Sequence, residues 1–155
     1  MKSFHIEDKK TFTQKLFLKE EYDEWWMTET EITTFNTYTI DGRINKKFFS
    51  GEEYISLGEP EFSRWKDVRK LCFEMIKGNK TPTKFKIVLK APENLTEKMV
   101  NEAEGSLKIN DIQGLFINIR FENDSMDIIT ATSLNIFSMD KSVEESFDKH
   151  IERNI

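Results

Sequence analysis

Apolar and polar residues alternate with two periods along this chain, and the switches between them divide it into elements. Phe12 and Leu16 lie four apart behind Glu7 and Asp8, which suit a positive helix N-terminus, so a first helix is predicted over 7–18. Residues 22–40 are rich in Thr, Trp, Tyr, Phe and Ile and read as strand. Asp41-Gly42 then gives a strong hairpin signal, because a type I′ turn needs positive φ at both central residues. A two-residue loop there sets Ile40 against Arg43, Thr39 against Ile44 and Phe35 against Phe48. Phe35, Ile44 and Phe48 would share the core face, and Asn36, Tyr38, Arg43 and Asn45 the polar one. A short strand is predicted over 53–57.

Trp65, Val68, Leu71, Cys72, Met75 and Ile76 fall on one helical stripe, with Gly78 placed to close that helix in a left-handed conformation. Phe85, Ile87 and Leu89 alternate with Lys84, Lys86 and Lys90, the signature of a half-buried strand. Leu95, Met99 and Ala103 predict a short helix stopped at Gly105. Leu115, Ile117, Ile119 and Phe121 line one face of a strand that turns at Asn123-Asp124-Ser125 and returns over 126–138. The last helix opens on a capping box, Ser142-x-x-Glu145. Val143, Phe147 and Ile151 form its apolar face, while Lys149, His150 and Arg153 complement its C-terminal dipole.

This order is not a regular strand–helix alternation. It predicts a single α+β domain over 1–155, with a mainly antiparallel sheet of about five to seven strands, free to curl strongly, and about three to four helices. Length agrees with one domain: about 150 residues bury roughly 68–70% of the unfolded surface. Thirteen Phe, three Trp and three Tyr supply ample core volume.

Composition narrows the chemistry. No apolar run approaches the ~18–20 residues of a membrane helix. The first eight residues lack the order of a secretory signal. With one cysteine, Cys72, no internal disulfide can form, so a reducing cytoplasm is expected. The excess of Lys over Arg, 18 to 5, fits the codon bias of an AT-rich bacterial genome or the Lys/Glu enrichment of a thermophile. Phosphate-loop, dinucleotide-fingerprint, zinc and nucleophile-elbow motifs are missing. Cys72, mid-helix on the apolar stripe, reads as a core cysteine. His5 and His150 read as surface or helix-end residues, with no carboxylate partner visible in sequence.

Three constellations remain. Asp23, Trp25, Met27, Glu29 and Glu31 share a face if their strand is unbroken; Glu29 and Glu31 then stand ~7 Å apart, a spacing from which a hard cation recruits oxygens. A solvated strand face is the simpler explanation, and no cofactor or metal is assigned. The polar hairpin face, Asn36, Tyr38, Arg43 and Asn45, could meet a small anion or a partner. Finally, residues 64–90 hold nine basic and two acidic residues, a local charge of +7 in a chain of −5, which leaves −12 elsewhere. Such a segment can neutralise phosphates. The acidic remainder and the lack of interleaved aromatics favour pairing with acidic helices of the chain, or plain solvation.

The segments Ile32–Arg43 (ITTFNTYTIDGR), Gln113–Glu122 (QGLFINIRFE) and Thr132–Lys141 (TSLNIFSMDK) resemble a group of short uncharacterised Firmicutes proteins catalogued as a domain of unknown function. That resemblance implies a bacterial, cytoplasmic, single-domain protein and brings no catalytic residue. The sequence leaves the biochemical function open. It favours a non-catalytic binding module acting on a protein partner or on a second copy of itself. Nucleic-acid binding through 64–90, and a small-ligand or enzymatic site on the first hairpin, are the alternatives.

Overall fold

The computed structural model describes residues 1–155. Its strands are β1 (Ser3–His5), β2 (Trp26–Thr33), β3 (Thr37–Asp41), β4 (Ser63–Arg64), β5 (Lys84–Lys90), β6 (Ile112–Glu122) and β7 (Ser125–Leu134). Helices are α1 (Lys9–Phe17), α2 (Gly51–Ser56), α3 (Trp65–Ile76), α4 (Glu93–Ala103) and α5 (Ser142–Asn154), with 3₁₀ turns at Lys46–Phe48 and Ile109–Asp111. All seven strands join one antiparallel sheet in the order β1-β7-β6-β5-β2-β3, with β4 beside β2. The fold is therefore α+β as expected. Because β1 and β3 lie at opposite edges, the sheet is neither closed nor strongly curled.

One face carries the core. Ile32, Phe85, Phe121 and Met126 form a cross-strand row, and Thr30, Ile87, Ile119, Ile128 and Phe4 form the next. Every one of these is buried. Onto them pack Phe12, Leu16 and Phe17 of α1, Trp65 and Cys72 of α3, Met99 of α4, and Val143, Phe147 and Ile151 of α5. Each fully buried side chain of this size contributes about 1.5–3 kcal/mol. The amphipathic helices are thus fixed by the apolar stripes that predict them.

The first hairpin differs from its expectation. β2 pairs with β3 from Thr33↔Thr37 to Glu29↔Asp41, so the chain reverses at Thr34-Phe35-Asn36. Asp41-Gly42 instead carries the chain on along β2, where the Gly42 N–H donates to the Thr28 carbonyl at 3.0 Å. The Asp41 carboxylate accepts hydrogen bonds from the backbone and guanidinium of Arg43. Gly42 is needed for close approach, since a Cβ there would sit 1.8 Å from the Met27 carbonyl oxygen. Phe35 and Phe48 consequently do not pair in a core; they are 87% and 79% exposed. A turn with positive φ at both central residues does occur, at Asn123 (53°) and Asp124 (59°), between β6 and β7.

Four further expectations are corrected. The strand predicted over 53–57 is α2: the Ser50 hydroxyl accepts from the Glu53 N–H while the Glu53 carboxylate accepts from the Ser50 N–H, a capping box that starts a helix. Leu71 is 55% exposed instead of lying on the buried stripe. At α5 the residue before the first turn is Lys141, and Asp140 does the capping. It accepts from the Ser142 N–H through one oxygen and from the Ser106 N–H and hydroxyl through the other. Those bonds hold its carboxyl well below the usual carboxylate range. His150 is half-buried, and burial, reinforced by repulsion from Lys98 and Arg153, lowers its pKa, so it does not serve as a cation at the helix end.

Candidate functional site

The four residues of the predicted polar face do not converge. Asn36 lies in the exposed β2–β3 turn. Tyr38 stands directly opposite the buried Ile32, on the helix side of the sheet, where it is half-buried. Arg43 is exposed and holds the Asp41 carboxylate at 2.9 Å. The Asn45 side chain caps the 3₁₀ turn by accepting from the Lys47 N–H at 3.2 Å. The predicted common face rests on a turn that the chain makes elsewhere, which separates Tyr38 from Arg43 and Asn45.

Glu29 and Glu31 do share the outer face of β2, but without Met27. A register shift between Met27 and Glu29 turns Met27 into the core while the glutamates face outward. Trp25, ahead of the strand, is also buried. Glu29 pairs with Lys86 at 3.1 Å. No three His, Cys, Asp or Glu side chains come together to hold a metal ion.

The basic segment is partly paired within the chain. Arg69 pairs with Asp23 at 2.7 Å, with both side chains at most 15% exposed. Lys66 reaches Glu24 at 3.0 Å, Lys77 reaches Glu74 at 2.8 Å, and Lys86 is held by Glu29. Arg64 also meets Glu24, and its guanidinium stacks 3.3 Å above the Trp26 ring. Five of the nine cations thus have acidic partners. Apart from the local Lys77–Glu74 pair, sequence alone misses these contacts because Asp23, Glu24 and Glu29 lie some forty or more residues upstream.

Cys72 is fully buried, and burial pushes its thiol up to about 12. His5 does have a carboxylate neighbour: its Nδ1 lies 3.1 Å from Asp127 Oδ1, across the β1–β7 ladder. Both side chains are exposed and no nucleophilic side chain bonds to the ring.

What the fold does bring together lies at the β3 edge. Phe35, Tyr38, Leu71 and Met75 line a groove between the β2–β3 hairpin and the C-terminal half of α3, floored by the residues that follow the helix. Tyr38 is the β3 residue that lines it, and on the outer edge of the sheet residues Thr37–Asp41 make backbone ladder bonds to β2 alone. Its signal in the sequence is weak: exposed Phe35 and Leu71 look like core residues until the hairpin is placed.

A family sequence model matches residues 15–155, nearly the whole chain. The chain belongs to DUF5721, a family of unknown function. No curated protein and no solved structure matches it. The DUF5721 match covers the β3 edge, the groove and the basic segment, and leaves β1 and the first turns of α1 outside. None of the helices of this DUF5721 chain is long and apolar enough to cross a membrane.

Proposed function

We propose that the protein is a non-catalytic binding module that works by associating with a second copy of itself through β3. The observation that carries this reading is the open edge of β3 flanked by exposed apolar side chains. Native sheets blunt such edges with lysine, proline or bulges, and β3 (Thr-Tyr-Thr-Ile-Asp) contains none of these.

The strand is self-complementary. Antiparallel pairing of two copies about Thr39 sets Tyr38 opposite Ile40 of the partner subunit, and the reverse. Both are half-buried on the helix side, and aromatic–β-branched pairs contribute roughly 0.2–1 kcal/mol each. Asp41 then faces Thr37 of the partner subunit, so no like charges meet. Phe35 and Leu71 flank the junction, where a second copy shields them from water.

Sedimentation velocity over a range of concentrations tests this, with wild type beside Thr39→Lys. Within one chain Thr39 faces Glu31, so a lysine there is accommodated. Across the two-fold it would face itself, and like charges directly opposite are destabilising. A dimer for wild type and a folded monomer for the variant are expected. A wild-type monomer at every concentration, or a dimer that Thr39→Lys leaves intact, overturns the reading.

A further inference from the structure

A second cleft lies on the other side of α3 from the β3 groove, between α1 and α3 at the end of the sheet where β6 turns into β7. Its volume is about 500 Å³, within the range of small-molecule sites. Phe73, Ile76, Phe85 and Phe121 supply the apolar wall, and the Phe85 and Phe121 rings stack with centroids 5.3 Å apart. Leu18, 53% exposed, extends that wall to the rim.

The rim is cationic. Lys9, Lys10, Lys77 and Lys80 surround the cleft. Lys9 is held by Asp124 at 2.8 Å and Lys77 by Glu74 at 2.8 Å, whereas Lys10 and Lys80 have no acidic partner. The loop that closes the cleft adds donors. Gly78, Asn79, Lys80 and Thr81 all line it, and their backbone N–H groups donate to no group of the protein. Gly78 takes a φ of +148°, a conformation other residues rarely adopt, and so shapes this turn of the wall.

An apolar wall, two unpaired ammonium groups and a run of unpartnered N–H donors have a common complement. We propose that this cleft binds an amphipathic anion, with a hydrocarbon or flat aromatic body against Phe73, Ile76 and Leu18 and a single anionic head between Lys10, Lys80 and the 78–81 loop. Charge selects the head, since lysine ammonium groups and amide N–H groups all stabilise negative oxygen. Burial of the body supplies the affinity. The cleft shares Ile76 and the 77–81 segment with the floor of the β3 groove, whereas its α1 side, Lys10 and Leu18, belongs to it alone.

Isothermal titration calorimetry with decanoate, run beside the neutral decanol and kept below micelle formation, tests the proposal. Decanoate should bind at one site per chain, and decanol about tenfold more weakly or worse. Leu18→Glu and the double variant Lys10→Glu with Lys80→Glu should each lower decanoate affinity by roughly tenfold or more. These are exposed positions, so folding should be retained, and circular dichroism checks it. Leu71→Glu, which lies in the groove on the far side of α3, and Thr39→Lys should leave the affinity within about twofold. No binding, equal binding of decanol, or a loss caused by Leu71→Glu and not by Leu18→Glu overturns the assignment. A monomeric wild type that still binds decanoate would refute the dimer alone.

Discussion

The indole N–H of Trp65 donates to the Leu16 carbonyl oxygen at 2.7 Å, and both side chains are fully buried. Leu16 lies in the last turn of α1, where carbonyls have no helical partner. A side chain at the first position of α3 therefore completes the end of α1. Trp65→Phe should keep most of the packing yet orphan that carbonyl, costing about 2–4 kcal/mol in urea unfolding. A loss below about 0.5 kcal/mol would show that water takes over the bond.

Gly42 makes the opposite kind of demand, for space. Its φ is not positive, so alanine is conformationally acceptable, yet the new methyl would overlap the Met27 carbonyl. Gly42→Ala should destabilise by about 2 kcal/mol or more by forcing β2 and the segment after β3 apart. Gly51→Ala, with nothing within 4 Å, is the control and should be neutral or stabilising. Equal thermal midpoints for the two variants would contradict the close approach.

One core residue opposes stability. Thr30 is fully buried beneath the helices, and its hydroxyl has no hydrogen-bond partner. Thr30→Val keeps the shape and removes the unmet polar group, so a gain of about 1 kcal/mol is expected from denaturant midpoints. A loss of similar size would mean that the hydroxyl has a partner, such as a bound water.

Arg69 and Asp23 join α3 to the segment ahead of β2 from a nearly dry position, and Arg69 also donates to the Phe17 carbonyl. Arg69→Met strands a buried carboxylate and should cost about 3 kcal/mol, a loss that added salt would restore only weakly. By contrast Lys66→Met, at the exposed Glu24 pair, should cost under about 1 kcal/mol.

Cys72 sets an alkaline limit. Its thiol is raised from an ordinary 9.0 to about 12 by burial, so the folded state holds its proton more tightly than the unfolded chain does. That stabilisation is complete below pH 9.0 and is lost as pH rises towards 12. Cys72→Ala should flatten the fall in stability over this window, measured by urea unfolding at stepped pH. In the native protein a small thiol reagent should react only after denaturation.

Elements whose apolar residues follow one period over ten or so residues were legible from sequence: α3, β5, β6, β7 and α5 all lie close to where their patterns put them. Local chemistry with two uses was not. Asp41-Gly42 carries the composition of a tight turn, but the aspartate binds its own Arg43 and the glycine clears a neighbouring carbonyl. Ser142 and Glu145 have the spacing of a capping box, but Asp140 reaches the helix end first. The same displacement scattered the candidate site. Once the reversal moved to residues 34–36, Tyr38 turned to the helix side, and the exposed groove at Phe35 and Leu71 came into being. Charge balance pointed to acidic helices or to solvation for the basic segment; three of its four acidic partners lie instead in or just ahead of β2.

The short β1 strand has a consequence for how assembly stops. It covers the outer edge of β7, itself ten residues long, and is tied down by Phe4 and Ile6 and by Lys2–Glu152. Without it the sheet would offer two open templates at opposite edges, β3 and the ten-residue β7, the geometry of a propagating filament. With it, that side ends in a three-residue strand carrying an exposed histidine, which leaves the five-residue β3 as the longer edge strand. On the pairing proposed above, growth by strand addition is expected to stop after a single step, giving a finite pair.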